Sequence, residues 1–148
     1  MSGSKPILSY GLVAIQLLSL GLIALTGPLF AAHPALLVLE GAAGLLGLWA
    51  IGTMGIDNFN VTPDVKPRAR LVTRGPYRLI RHPMYTALLA GALALVLDAF
   101  SPLRLALWLA LLTDLMVKLN YEERLLSREL EGYSTHIQRS KRLIPFIY

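Results

Sequence analysis

The chain has 148 residues and no cysteine; 55% are hydrophobic, 16% are charged, the mean hydropathy is +0.56 and the net charge +5. That length suits one domain, 1–148, and not two, and the missing thiols exclude disulfides, thiolate metal sites and a cysteine nucleophile. Soluble domains carry about 25% charged residues; here charge is absent from Pro6 to Leu39 and reduced to Asp98 between Pro83 and Ser101, which leaves an all-α membrane protein as the class.

A spanning helix needs about 20 apolar residues. The first candidate runs from Ile7 to Thr26 and stops at Gly27-Pro28. It is too long for a signal-peptide core and lacks a cleavage site, so it reads as an anchored helix. After the turn Phe30–His33, the second runs from Pro34 to Gly55. The third starts at Pro83, a favoured first helical position, and ends near Ala99; being short, it is expected to tilt or to sit partly in the interface. Ser101-Pro102 turn into the fourth, Leu103 to Leu119, which continues as an amphipathic helix through Glu131. The expected fold is therefore polytopic and all-α, with four transmembrane helices, the last two a hairpin, plus a polar loop and a C-terminal helix or tail. Gly41, Gly44 and Gly47, with Ala87 and Gly91, put small residues where helices pack closely in lipid.

Basic residues orient the stack. Lys66, Arg68, Arg70, Arg74, Arg78 and Arg81 lie between spans two and three. Arg124, Arg128, Arg139, Lys141 and Arg142 lie in the tail, Lys5 precedes span one, and the far side has only Arg104. By the positive-inside rule both termini and the central loop are cytoplasmic. Basic residues that flank apolar spans point to anionic lipid headgroups and not to nucleic acid. The strand–glycine-loop–helix pattern of nucleotide sites is missing.

Two polar constellations remain. In Arg74-Gly75-Pro76-Tyr77-Arg78-Leu79-Ile80-Arg81-His82-Pro83-Met84-Tyr85 the basic residues suit headgroup anchoring. An imidazole and a phenol at a helix start, where unpaired N–H groups favour anions, suit a ligand. The second, Asp114, Lys118 and Glu122 with Glu123 adjacent, follows i, i+4 spacing on one helical stripe. It reads equally as a salt-bridge ladder or as ionisable groups facing a cavity. The hairpin brings Pro83 and Glu122 to the same membrane side.

Gly-Pro-Tyr-Arg-x-x-Arg-His-Pro-x-Tyr, the later Glu-Glu and the ending from Gly132-Tyr133 through Arg142-Leu143-Ile144-Pro145 resemble the isoprenylcysteine carboxyl methyltransferase and phospholipid methyltransferase superfamily. The resemblance covers roughly Val61 to the C-terminus, making 61–148 the catalytic core. It implies methyl transfer from S-adenosylmethionine to a lipophilic acceptor: an isoprenoid or fatty carboxylate, a lipid amine or a thiol. The implied cofactor residues are Ala69, Arg70, Leu71, Val72, Tyr77, His82, Pro83, Met84, Tyr85, Glu122 and Glu123. Lys118 and Glu122 are the implied catalytic pair, and Lys118 and Asp114 the acceptor residues. Lys118 stands where the carboxyl methyltransferases use arginine, and a lysine lacks the bidentate fork. His136 reads as a surface histidine of the tail and His33 as a far-side turn residue. An NADPH-dependent sterol-type reductase, which shares a similar C-terminal hairpin, and a non-enzymatic lipid-binding protein are the alternatives.

Overall fold

The computed structural model describes residues 6–55, 57–66 and 69–148. Lys5 and Arg68, counted above among the basic flanks, lie outside the described residues. Within them there are five α-helices and no strand: α1 (Pro6–Leu25), α2 (Pro34–Met54), α3 (Pro83–Asp98), α4 (Pro102–Glu129) and α5 (Tyr133–Arg139). Each of the four long helices opens at a proline, whose fixed φ and missing N–H suit the first turn. His33 and Ser101 cap α2 and α4 by accepting from Ala35 N and Arg104 N. Gly55 ends α2 at φ 78°. Helix α4 is unbroken from the far-side turn into the tail, and it stops two residues before Glu131, ahead of Gly132 at φ 82°.

Two helices, Ile7–Leu25 and Pro34–Met54, are long and apolar enough to cross a membrane; α3 is apolar but has 16 residues. The side chains of the first two point largely outward. Val38, Leu45 and Leu48 are 72%, 70% and 69% exposed, a surface that water does not favour and lipid does.

The packing order is not the chain order. Helix α2 lies along α3, α1 lies along α4, and α3 meets α4 between them. The core cluster joins Ile23 of α1, Leu89 and Val96 of α3, and Leu111, Leu115 and Leu119 of α4. Helices α1 and α2, neighbours in sequence, share no extensive contact. A groove is left between them over α3.

Close packing is confined to part of the glycine stripe. A Cβ at Gly47 would meet Ala87 at 3.4 Å, and one at Gly91 would meet Ala43 at 3.6 Å, so these positions serve α2–α3 packing as expected. At Gly41 and Gly44 a Cβ would meet nothing within 4 Å. Those two line the groove instead.

The far-side turn is tied by acidic side chains. Asp98 accepts from Ala32 N and His33 N at 2.9 and 2.8 Å, and Glu40 accepts from Ala31 N at 2.9 Å. Arg104, the lone far-side cation, is 1% exposed and donates to Leu95 O. Its guanidinium occupies the space where a Cβ at Gly27 would stand.

Candidate functional site

Helix α2 ends at a loop that Asn58 folds back. Its side chain donates to Arg70 O at 2.8 Å and accepts from Arg70 N at 2.9 Å. This pair of hydrogen bonds sets Ala69–Val72 beside the end of α2. A 3-10 turn, Gly75–Arg78, then buries Pro76 and Tyr77. Gly75 sits at φ 58°, and a Cβ there would meet Thr53 Oγ1 at 2.8 Å. Both its conformation and its space call for glycine. Gly75→Ala is expected to destabilise the protein by about 1–3 kcal/mol through overpacking and left-handed strain; an unchanged melting temperature in detergent would refute this.

The residues after the turn divide by direction. Arg74 and Arg78 are exposed. Arg81 turns inward. Its Nε donates to Glu123 Oε1 at 2.7 Å, and its Nη1 reaches Ile137 O at 3.2 Å and Ser140 O. The tail runs beside this segment through a parallel bridge between Ile80 and Lys141. Arg81 N and His82 N donate to Lys141 O and Arg142 O, and Thr86 Oγ1 donates to Leu143 O at 2.7 Å. The chain's last segment is thereby fastened to the start of α3.

The two glutamates of α4 face different partners. Glu122 Oε2 accepts from Tyr85 Oη at 2.8 Å and lies 3.7 Å from His82 Nδ1. Glu123, on the next residue and rotated by about 100°, pairs with Arg81 and with Arg142 Nη2 at 3.2 Å, and lies 3.3 Å from His82 Nε2. His82 is buried between the two and stacks on Tyr85, ring centroids 5.3 Å apart and ring planes nearly parallel. Burial pushes the Glu123 carboxyl up, but hydrogen bonds and positive charge from His82 and Arg81 outweigh it and hold the group at about 2.

Lys118, 1% exposed, lies over the Tyr85 ring at 5.6 Å and donates to Gln16 Oε1 of α1. The salt-bridge ladder read from i, i+4 spacing is therefore not formed. Among the described residues Lys118 makes no ion pair, and the Asp114 carboxylate is buried without a hydrogen-bond partner. Each member of the stripe finds, or lacks, its partner on another element.

Two cavities meet here. The larger, about 880 Å³, occupies the groove between α1 and α2; Leu20, Leu37 and Gly44 are among its apolar walls, and Lys118, Tyr85 and His82 lie at its polar end. The smaller, about 90 Å³, is walled by Ala69, Arg70, Leu71 and Val72 together with Tyr133 and His136. Tyr77, Met84 and Glu122 border both. Of the residues expected to hold a cofactor, Pro83 and Glu123 line neither cavity and the others do; of the two expected to meet the acceptor, Lys118 lines the larger and Asp114 lines neither.

His136 corrects the sequence reading. It is 8% exposed, not a surface residue, because α5 folds under the loop and points it at the smaller cavity. Burial, then the charges of Arg81 and His82, lower its pKa below the ordinary histidine value. The Tyr77 and Tyr133 hydroxyls are buried and have no partner among the described residues. Burial, with nearby glutamate charge, raises both above the ordinary phenol range, so both remain donors at neutral pH. Gln16 and Tyr133 were not anticipated. An amide in the middle of a charge-free span was the one available sign of Gln16. His33 lies at the far end, in the turn held by Asp98.

A bundle with apolar outward faces, a groove open between two helices and a knot of ionisable groups at one end makes this an all-helical protein with two helices long and apolar enough to cross a membrane. The chain belongs to the phospholipid methyltransferase family, whose model matches residues 30–131, and methyltransferase activity and membrane association come with that membership. The match takes in α2, which the sequence motifs did not reach, and leaves out α1 and α5. No curated protein and no solved structure matches the chain.

Proposed function

We propose that the protein is a four-span, S-adenosylmethionine-dependent methyltransferase whose lipophilic acceptor enters from the bilayer, with residues 1–148 one domain and 61–148 its catalytic core. The observation that carries this is the meeting of a large apolar cavity and a smaller, more polar one across Tyr77, Met84 and Glu122.

Crossing by α3 and α4 is supported by which way their polar groups turn. Arg104, Asp114 and Lys118 of α4 are 1%, 4% and 1% exposed, whereas Leu103, Leu109 and Val117 face outward. Ionisable groups at membrane depth face the bundle interior in this way. Helix α3, about 24 Å long, spans a core of about 30 Å by local thinning or by an unwound end. The basic loop and tail then lie on the cytoplasmic side with both termini.

The residues present fit the cofactor in chemistry. Two buried phenols without partners, Tyr77 and Tyr133, offer donors to ribose hydroxyls or adenine nitrogens. Glu122 is a carboxylate for the ammonium of the methionine part, and the tyrosine faces suit a sulfonium. The smaller cavity alone falls below the ~300–1,000 Å³ of small-molecule sites, so the ligand has to continue through the shared wall at Met84. When bound, S-adenosylmethionine supplies an electrophilic methyl carbon: an acceptor lone pair forms the new bond, and the carbon–sulfur electrons return to sulfur as a neutral thioether.

The chain's own part is placement and exclusion of water. Tyr85 holds Glu122, Lys118 orients the acceptor at the polar end of the groove, and the tail covers the turn. Calorimetry with S-adenosylmethionine, its demethylated product and NADPH tests the reading on the purified protein. Binding of the first two and not the third is expected. NADPH binding alone would establish a reductase, and binding of none a lipid-binding role.

A further inference from the structure

We infer that Gln16 of α1 and Lys118 of α4 together form a recognition site for an anionic oxygen, carboxylate or phosphate, on an acceptor whose apolar chain lies in the α1–α2 groove. The inference deepens the reading above, since it concerns the acceptor of the same site.

Gln16 is costly where it is. It sits within a helix that has no charged residue, and it is 8% exposed on the groove wall. A buried amide needs its partners. A lysine can only donate, so the amide oxygen is the atom that must face Lys118 Nζ, and the hydrogen bond joins those two atoms. The amide nitrogen is thereby turned the other way. Among the described residues it donates to no protein group.

Lys118 is the second half of the argument. A buried ammonium is stabilised by a counter-charge or pays heavily in desolvation. None of the described carboxylates pairs with it. Glu122, one turn on, is engaged by Tyr85, and Asp114, one turn back, lines neither cavity; both act on the ammonium only from beyond ion-pair distance. A counter-charge in direct contact is left to whatever fills the groove. A lysine alone is a point charge; the adjacent amide adds a second donor, so that two oxygens of one anionic group can be met at once. Charges in the site are thus sorted: Lys118 and Gln16 favour a negative group in the groove, while Glu122 at the shared wall favours a positive one.

Because α1 lies outside the 30–131 match, this half of the site comes from a part of the chain that family membership does not describe. It also names a different determinant from the tail or the loop. Three probes of equal chain length test it: an alkyl carboxylate, an alkyl phosphate and an alkyltrimethylammonium, each displacing a fluorescent fatty probe from the full-length protein in non-ionic detergent. For the native protein either anion should bind at least about tenfold more tightly than the cation, the size of one charge-assisted hydrogen bond. The tighter of the two anions identifies the headgroup class. Gln16→Leu should weaken both anions several-fold and leave the cation unchanged. Gln16→Glu keeps an oxygen opposite Lys118, and hence the local support of the fold, but supplies the counter-charge from within; it should invert the preference toward the cation. Equal affinities in the native protein, or an order unaltered by Gln16→Glu, would overturn the inference. Loss of S-adenosylmethionine binding alongside an intact anion preference would bring down the methyl-transfer reading and uphold this one.

Discussion

Glu122→Gln should lower affinity for S-adenosylmethionine by roughly 10- to 100-fold, the equivalent of losing one interaction with a charged group, while the protein stays folded. The substitution keeps an oxygen to accept from Tyr85 Oη, now at 2.8 Å from Glu122, so only the charge is removed. The Glu122 side chain is 27% exposed and, among the described residues, makes no ion pair with an arginine; the buried Lys118 keeps its hydrogen bond to Gln16. Tyr85→Phe, which frees the carboxylate to rotate, should give a smaller loss. Isothermal titration of each variant checks both; native affinity in Glu122→Gln would remove this residue from the cofactor's surroundings.

The neighbouring glutamate should behave in the opposite manner. Glu123→Gln is expected to cost about 3–5 kcal/mol of stability, the range for breaking a buried ion pair by removing one partner. Arg81, with a side chain 7% exposed, would keep its charge and lose its main counter-charge, and Arg142 would lose its hold on the core. The tail, which covers the site through Arg81, Arg142 and Thr86, should loosen with it and become open to protease. The acid response follows from the same contacts. The Glu123 carboxyl stands at about 2 in the folded protein against an ordinary 4.5. A depressed carboxylate contributes fully above its unfolded value and loses that contribution as pH falls through the folded one. The Glu123 contribution should therefore be level down to about pH 4.5 and drain between there and pH 2 by about 3 kcal/mol. The Glu123→Gln variant should lack this slope. An equal slope in both proteins would place the acid sensitivity elsewhere.

Adjacent in sequence, these two glutamates show what a pattern can carry. The family resemblance named Glu122 and Glu123 together as cofactor residues. The helical step of about 100° per residue sends one to the cavities and the other to the arginines. Which way each points depends on how α4 is rotated against α3 and the tail, and no local spacing encodes that rotation. The same applies to His136. A short polar segment after an amphipathic helix reads as surface until Gly132 turns α5 back under the loop.

The groove was out of reach for a different reason. Gly41, Gly44 and Gly47 form one stripe, yet only the last is packed; the other two are open because α1 crosses to α4 instead of α2. Helices α1 and α2 are apolar but for a few positions, chiefly Ser9, Gln16 and Ser19 in one and Glu40 and Thr53 in the other, so hydrophobic patterning alone names no preferred neighbour for either.

Charge-free runs, proline starts and glycine stops determined by themselves that the chain makes long apolar helices and where these begin and end, since such signals act over a few residues. They also determined that His82, Tyr85 and Glu122 reach the same end of a hairpin, because helix length and a tight turn leave little alternative. The tertiary structure alone decided that Glu123 holds the tail, that Lys118 meets Gln16 and that a groove stands open between α1 and α2. Those outcomes depend on which helix faces which, and that choice is made by shape and by buried charge across the whole bundle.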